Sequence, residues 1–265
     1  MSCKYQKKEL RQHIYDTPDT YAGGSDLIEE QLPIVQENKI ITKTIQYVPA
    51  LYNIFNEILV NSRDQIIRLS QGKGANPVTT LKVTINRENG EISIYNDGDG
   101  IDVEKHPTEK NELGKTIMIP EMIFGHLLTS SNYDKDEKKI VGGKNGYGAK
   151  LTNIFSSQFK LETVDAKGHK KYVQLFEKNM TIKHKPKITQ YKSKPFTRVT
   201  WIADFTRFGL TNYSPDMISL MERRIYDIAG ITDKNISVYL NGDKIKVKGF
   251  QDYSYLYLPN KDSLL

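Results

Sequence analysis

The chain has 265 residues, of which 38% are hydrophobic, and its 38 basic and 32 acidic side chains give a net charge of +6. This length and apolar content give one or two globular domains with a sizeable core. The single cysteine, Cys3, excludes an internal disulfide framework, and no apolar run reaches the ~20 residues of a membrane helix. We therefore expect a soluble intracellular protein, and the positive charge permits an anionic partner without identifying one.

The N-terminal 25 residues predict an arm that contains a short helix. Helical character runs from Lys7 to Tyr15, and Thr17-Pro18-Asp19 then breaks the helix. Residues 40–48 favour extended structure because β-branched and aromatic residues dominate them, and Pro49 ends that strand.

Residues 51–69 form the clearest predicted helix, since seven apolar residues recur at the 3.6-residue period. A polar stripe follows one edge of the apolar face, with members three and four positions apart: Glu57, Asn61, Asp64 and Arg68. A solvated surface stripe is the ordinary interpretation. The alternative is a helix that places a base and a metal ligand side by side.

Two alternating segments, 81–85 and 91–95, predict a β-hairpin around Asn89-Gly90. The second strand leads into the acidic loop Asn96-Asp-Gly-Asp-Gly-Ile101. Counting from Asp97 as position 1 puts Ile101 and Asp102 where a calcium loop needs a ligand and a glycine. The calcium interpretation therefore fails, and a sharp turn with polar side chains at a strand end remains.

A glycine-rich stretch, Val141 to Phe155, is the strongest candidate for a ligand-binding loop. Its four glycines allow φ > 0 and a close approach to a ligand, and apolar residues at helical spacing follow. A loop that runs into a helix N-terminus suits a phosphate. A plain turn is the alternative, since the stretch lacks the Walker and dinucleotide spacings. Before it, a short helix from Glu121 to Leu128 and a polar segment predict a mobile lid.

Beyond residue 155 the chain is predicted to be mostly strand. Segments 159–164, 172–176, 180–184 and 197–202 suggest a meander, followed by a helix over 215–229 with Gly230 as its C-cap. A last hairpin covers 236–247. The sum is an α/β (α+β) two-layer sandwich, with helices on one face of a mixed, mostly antiparallel sheet.

Three motifs in this order resemble the ATP-binding fold shared by DNA gyrase, the 90-kDa heat-shock chaperones, MutL-type repair proteins and histidine kinases. They are Asn-Glu-Ile-Leu-Val-Asn61, Leu-Leu-Thr-Ser-Ser-Asn-Tyr-Asp134 and Gly-Gly-Lys-Asn-Gly-Tyr-Gly-Ala-Lys150. Within that superfamily the chain resembles, over nearly its whole length, the ATPase region of eukaryotic-type DNA topoisomerase II. The resemblance implies ATP and Mg²⁺ as cofactors.

The resemblance also implies a role for each polar residue of the first motif. Glu57 would be the general base that polarises the water attacking the γ-phosphate, and Asn61 would bind Mg²⁺ through its carbonyl oxygen. Asp64 and Arg68 would support the Mg–phosphate end. Tyr5, on the N-terminal arm, would reach into the nucleotide site of the other subunit.

The remaining implied residues would hold the nucleotide itself. Asn96 would face the adenine and accept a hydrogen bond from its exocyclic amine, and Thr197 would support that amine through a water molecule. The apolar walls of the base pocket would be Ile101, Ile123 and Phe124. Contacts to the sugar and phosphates would come from Ser130, Ser131 and Asn132. The phosphates would be wrapped by the loop Gly143, Lys144, Asn145, Gly146, Tyr147, Gly148, Ala149 and Lys150.

Residues 1–25 would then be an arm for subunit exchange and residues 26–265 an ATP-binding domain. The transducer, DNA-cleavage and C-terminal domains would lie outside this chain, so we expect weak ATP turnover, no DNA cleavage and mostly monomer. In the full enzyme the partners would be a second copy of itself, closing on ATP, and double-stranded DNA. Departures at Arg63 and Gln65, which bear on phosphate-side contacts, fit a large cytoplasmic DNA virus as source. The location would be nuclear, or host cytoplasm and viral replication sites.

Three alternatives stay open at this point. One is an ATPase of the same fold from a chaperone or a mismatch-repair protein, although their lids end in different glycine loops. Another is a nucleotide-binding dimerisation module without turnover. The last is a basic nucleic-acid binder with no nucleotide role, which rests on the net charge alone.

Overall fold

The computed structural model describes residues 8–72, 74–111, 114–127 and 147–258. The helices are α1 (Leu10–Asp16), α2 (Pro18–Tyr21), α3 (Pro49–Ser70), α4 (Ile119–Gly125), α5 (Gly148–Ile154), α6 (Pro215–Gly230) and α7 (Phe250–Ser254). Two 3-10 turns cover Phe205–Phe208 and Tyr255–Tyr257. The first strands are β1 (Ile28–Gln36), β2 (Lys39–Tyr47), β3 (Thr80–Ile85), β4 (Glu91–Asp97), β5 (Lys105–Lys110) and β6 (Thr116–Met118). The later strands are β7 (Ser156–Val164), β8 (Lys170–Glu177), β9 (Ile182–Lys183), β10 (Lys187–Gln190), β11 (Phe196–Ala203), β12 (Ser237–Leu240) and β13 (Asp243–Lys244).

A nine-stranded sheet lies at the centre of the molecule. Its order is β10-β8-β7-β11-β4-β3-β12-β13, with β9 paired to the other part of β8. The pairs are antiparallel except for β12, which runs parallel to β3. This arrangement confirms the predicted mixed, mostly antiparallel sheet.

One face of this sheet packs under the helices and forms the main hydrophobic core. Inward residues alternate along each strand, and Leu81, Val83, Val199 and Trp201 are at most 4% exposed. The apolar stripe of α3 covers them with Leu51, Ile54, Phe55, Ile58 and Leu59. Residues on the other face, which we call the outer face, alternate with these and are mostly exposed or half-buried, with Glu162, Asp97 and Phe196 as buried exceptions. The two-layer architecture is therefore confirmed.

The predicted meander is wrong in its last step. β7, β8 and β10 are neighbours, but β11 returns to the opposite edge of β7 and also pairs with β4. The reason is apolar burial: β11 carries Trp201 and Val199 into the core, whereas β9 and β10 are exposed along their length. The polar strands take the sheet edge and the apolar strand takes its centre.

The predicted C-cap at Gly230 is also wrong. Gly230 is the last helical residue of α6, and Ile231 is the cap. A Cβ built on Gly230 would lie 2.8 Å from the ring of Tyr253 on α7. The glycine is required for close packing of α7 on α6, and a left-handed turn plays no part.

The N-terminal region holds two features that the sequence did not reveal. β1 and β2 form a separate hairpin, which packs on Leu220 of α6 through Ile34 and Ile45. Pro18 begins α2 at the position that proline tolerates, so the break after α1 is only one residue long. Ile14 of α1 is fully buried in the main core.

Subunit exchange by residues 1–25 stays a prediction, and residues 1–7 lie outside the described part of the chain.

Candidate functional site

The polar stripe of α3 has two half-buried members, Glu57 and Asp64, and two exposed ones. Burial raises the pKa of the Glu57 carboxyl, and the nearby charge of Asp64 raises it further. Asn61, one helical turn on, is exposed, and so is Arg68, whose guanidinium donates to the Gln65 carboxamide. A carboxylate with raised pKa beside an exposed carboxamide can act as a proton acceptor next to a metal ligand.

Helix α5 begins directly against Glu57. A Cβ built on Gly148, the first residue of α5, would overlap the Glu57 carboxylate oxygen Oε2. The Thr152 hydroxyl donates to the Ile54 carbonyl at 2.8 Å and ties α5 to α3. The tail of the predicted glycine loop and the predicted base are therefore in contact.

Lys150 lies on the same short helix and is buried, with 2% of its surface exposed. Burial lowers the pKa of its ammonium group from 10.5 to about 8. Burying a charge is unfavourable in any fold. A cation that is nevertheless kept buried is therefore typical of a functional position. Ala149, its neighbour, is buried at 8% exposure, and the Tyr147 ring lies 6.3 Å from that of Tyr21.

A second group of predicted residues meets at the ends of β4, β7 and β11. Asn96 is buried at 4% exposure and pairs with Thr197 across the β4–β11 ladder. The Asn96 side chain donates to the Asp97 carbonyl at 2.8 Å. The carboxamide therefore has a fixed orientation within the sheet.

Thr163 on β7 organises this second group, and the sequence reading missed it. Its hydroxyl donates to the Phe196 carbonyl at 2.9 Å and accepts from the Ile101 amide at 2.9 Å. Its oxygen also lies 3.2 Å from the Thr197 hydroxyl, which must be the donor because the Thr163 proton is already used. The available signal was a threonine on the inward face of an apolar strand, in line with Phe159 and Leu161.

The loop after β4 is the sharp turn that the sequence predicted. Gly98 and Gly100 have φ of +108° and +70°, and a Cβ on Gly100 would collide with the Val164 carbonyl. Asp97 accepts from the amides of residues 79 and 80 at 2.8 Å, and Asp99 accepts from the amides of residues 75 and 76 at 2.8 Å. These acids hold neighbouring loops, which explains an acidic sequence without a calcium site.

The two predicted apolar wall residues of α4 lie in different surroundings. Ile123 is 36% exposed, whereas Phe124 is 7% exposed and packs on Phe159 with ring centroids 5.9 Å apart. The Phe124 carbonyl accepts from the buried Asn153 side chain at 3.0 Å. Phe124 is thus part of the core, and Ile123 has the exposure that a ligand wall needs.

Several predicted site residues lie outside the described part of the chain: Tyr5, Ser130, Ser131, Asn132, Gly143, Lys144, Asn145 and Gly146. Of the two departures on α3, Arg63 donates to the Ile231 carbonyl at 3.3 Å, at the end of α6. Gln65 contacts Arg68 on the polar stripe.

The fold and these two residue groups define a nucleotide-binding ATPase of the gyrase and chaperone type. A family model for histidine kinase-, DNA gyrase B- and HSP90-like ATPases matches residues 47–203. The chain belongs to this ATPase family, as its three motifs predicted.

Individual relatives place it near one branch of the family. The chain is 47% identical over 99% of its length to DNA topoisomerase 2 of Candida glabrata, and 45% identical over 97% to that of Acanthamoeba polyphaga mimivirus. It spans only 18% and 20% of those relatives. Among solved structures, the ATPase region of Saccharomyces cerevisiae topoisomerase II bound to ICRF-187 matches with a TM-score of 0.88 at 47% identity. That match covers 96% of this chain and 65% of the other. The predicted resemblance to the topoisomerase II ATPase region is confirmed.

Proposed function

We propose that this chain binds Mg·ATP and hydrolyses it as the ATPase module of a type II DNA topoisomerase. The observation that carries the proposal is the contact between Glu57 and Gly148, which joins a partly desolvated carboxylate to the end of a glycine-rich loop. Phosphoryl transfer to water needs an oriented water molecule and neutralised phosphate charge more than covalent chemistry. The arrangement would supply both requirements at one place.

Glu57 would accept the proton of the attacking water. Burial, and then the charge of Asp64, disfavour the anion and raise the pKa of the Glu57 carboxyl, which strengthens it as a base. Asp64 would tune this basicity from about two turns further along α3.

Asn61 would hold Mg²⁺ through its carboxamide oxygen. A hard oxygen on an exposed side chain suits this ion, and the described residues contain no group of three or more His, Cys, Asp or Glu that would form a protein cage. The phosphates would therefore be the main ligands, with Arg68 near the same end. When bound, Mg²⁺ would neutralise phosphate charge.

Adenine would bind where Asn96, Ile101 and Thr197 converge. The Asn96 oxygen can accept from the exocyclic amine, and the Thr163 hydroxyl fixes both Thr197 and the Ile101 amide. Ile123 would close the pocket with its exposed side chain. The phosphates would lie against Lys150 and the preceding loop, with residues 130–132 contacting sugar and phosphate.

The proposal extends to the longer protein of which the relatives are examples. Two copies would close on ATP, with Tyr5 reaching the site of the other subunit, and the closure would drive passage of double-stranded DNA. We propose a nuclear location, or viral replication sites in the host cytoplasm if the source is a virus. Within the described residues, no helix combines the length and apolarity that a bilayer crossing needs.

The test is a melting experiment on this chain with Mg²⁺ and a non-hydrolysable ATP analogue. At 100 times the dissociation constant, binding should add about 2.7 kcal/mol, or several degrees in Tm. The shift should require Mg²⁺ and be strongly reduced in Asn61→Ala. No shift with ATP analogue or ADP, in this chain and in a longer protein, would overturn the proposal.

Turnover separates an ATPase from a module that only binds nucleotide. Hydrolysis by a longer protein that includes the downstream region should be lost in Glu57→Ala while the melting shift is kept. Equal and undetectable turnover in wild type and variant would favour the binding-only alternative.

A further inference from the structure

A continuous row of side chains crosses the outer face of the central sheet, from one edge to the other. Each member faces the next in the strand register. In order the row is Lys244, Tyr239, Lys82, Tyr95, Arg198, Glu162, Val173 and Lys187. Seven gaps of ~4.8 Å between strands give it a length of ~34 Å.

Cations and aromatic rings alternate in the first half of this row. The Lys82 ammonium lies 5.5 Å from the Tyr95 ring centroid and 5.7 Å from that of Tyr239. The Arg198 guanidinium lies 5.3 Å from the Tyr95 centroid on the opposite side. These contacts hold the cations above the sheet without neutralising them.

Glu162 anchors three further cation contacts at the middle of the row. Its carboxylate lies 3.2 Å from Lys160 Nζ, 3.5 Å from Lys171 Nζ and 3.8 Å from Arg198 Nη1. Its side chain is only 10% exposed, whereas those of Lys160 and Arg198 are both 42% exposed. One inner carboxylate therefore positions three cations and leaves their outer surface positive.

Apart from Glu162, the acidic residues on the outer face of β4 and β8 lie at strand ends, away from this row. Glu91 and Asp97 are the first and last residues of β4, and Glu177 is the last residue of β8. Hydroxyls flank the row instead, with the Thr200 hydroxyl donating to Ser93 Oγ at 3.0 Å. A shallow cavity of about 340 Å³ lies over this area, and its lining includes Lys82, Arg198 and these hydroxyls together with Glu91 and Glu162.

We propose that this row, Lys244 to Lys187, is a binding surface for the phosphodiester backbone of nucleic acid. Spaced cations and hydroxyls on a polar surface are the groups that contact phosphates without reading sequence. The row is about as long as one turn of duplex, ~34 Å. A second copy of this chain is a poor occupant, because a symmetric contact would bring the same positive rows together.

The proposal does not depend on ATP hydrolysis, since none of these residues belongs to the nucleotide site. The test is fluorescence anisotropy of a labelled 20-base-pair duplex, and of one of its strands, with this chain over a series of salt concentrations. The test variant is Lys82→Gln/Arg198→Gln/Lys244→Gln. The matched control is Lys105→Gln/Lys110→Gln/Lys115→Gln, which removes three exposed cations from the β5–β6 hairpin.

The row variant should bind the duplex at least tenfold more weakly at low salt. Its log K against log salt slope should fall by about 0.9 for each lost phosphate contact. The control should stay within twofold of wild type, and both variants should keep the wild-type melting temperature. Loss of binding to the single strand alone would also support the row, with Tyr95 and Tyr239 as stacking surfaces.

Equal binding of both the duplex and the single strand by the row variant and wild type would overturn the proposal, and so would equal losses in the row variant and the control variant. Competition by poly-glutamate as effective as that by duplex would show that the row binds acidic polymers in general. That result would overturn nucleic acid as the partner. A wild-type dimer in sedimentation that is lost in the row variant would assign the row to self-association instead.

Discussion

Gly148 and the carboxylate of Glu57 adjoin so closely that a Cβ on the glycine would overlap Oε2 and lie 2.8 Å from Cδ. The two residues are 91 positions apart in the sequence, one in the middle of α3 and the other at the start of α5. Glycine is therefore required at position 148 for a steric reason, which is distinct from the flexibility that glycine gives to a loop. It gives the carboxylate the space in which it lies.

Gly148→Ala should impair hydrolysis more than it impairs folding. The added methyl group has to push the Glu57 carboxylate aside, and a displacement of about 1 Å at a reacting group costs on the order of 10²-fold in rate. Turnover of the longer protein is the measurement, with Tm as the fold check. Gly24→Ala is the matched control, since its Cβ would meet only Pro49 Cγ at 3.7 Å. Wild-type turnover in Gly148→Ala would show that Glu57 does not need its present position.

Asp64→Asn should shift the pH dependence of hydrolysis. Burial and then the charge of Asp64 raise the pKa of Glu57 above 4.5, so the acid limb of kcat/KM should lie above that value. Removing the Asp64 charge lowers the Glu57 pKa, and the limb should move to lower pH. Asp216→Asn, remote on α6, should leave it in place. An unmoved acid limb in Asp64→Asn would show that the Asp64 charge does not raise the pKa of Glu57.

Glu57 also has a defined effect on stability. Its folded pKa is above its unfolded value, so the native state binds the proton more tightly than the unfolded chain does. Its contribution to stability is therefore present at low pH and is lost as pH rises through the folded pKa. Glu57→Gln should remove that dependence, so denaturant midpoints of wild type and variant should converge at low pH.

Local sequence determines how much of this fold is predictable. α3 was predicted because its apolar period and its polar stripe lie within one segment, and the turn after β4 because its glycines permit left-handed backbone. The place of β11 between β7 and β4 was not predictable from its own residues. It follows from pairing with strands more than 30 residues away in the sequence.

The same distinction applies to the site. Glu57 and the glycine loop could be proposed as base and phosphate loop because their residue types carry a chemical role, whereas Thr163 was missed because its contacts come only from its partners. Ile101 is 62 positions away and Thr197 is 34 away. Gly230 was misread for the same reason, since the Tyr253 ring that requires it belongs to a different helix.

Thr163→Val should destabilise the protein and weaken nucleotide binding together. The change removes the acceptor for the Ile101 amide and the Thr197 hydroxyl at a fully buried position. Leaving buried donors unsatisfied costs about 1–3 kcal/mol, which is several degrees in Tm. Thr163→Ser keeps the hydroxyl and should restore nucleotide affinity in calorimetry. A Val variant with wild-type affinity would show that this hydroxyl does not support the adenine end.

Lys150→Met should stabilise the nucleotide-free protein while abolishing much of its response to nucleotide. Burial lowers the folded pKa of Lys150 to about 8, below its ordinary value of 10.5, so the buried charge opposes folding at neutral pH. The unfolded chain then binds the extra proton between those values, and wild-type stability should rise with pH across that range. The gap in Tm between Lys150→Met and wild type, a few degrees at pH 7, should therefore close as pH rises from about 8 to 10.5. The control is Lys234→Met, at an exposed position, which should show neither effect. A Lys150→Met protein less stable than wild type at pH 7 would mean that the surrounding groups stabilise the charge.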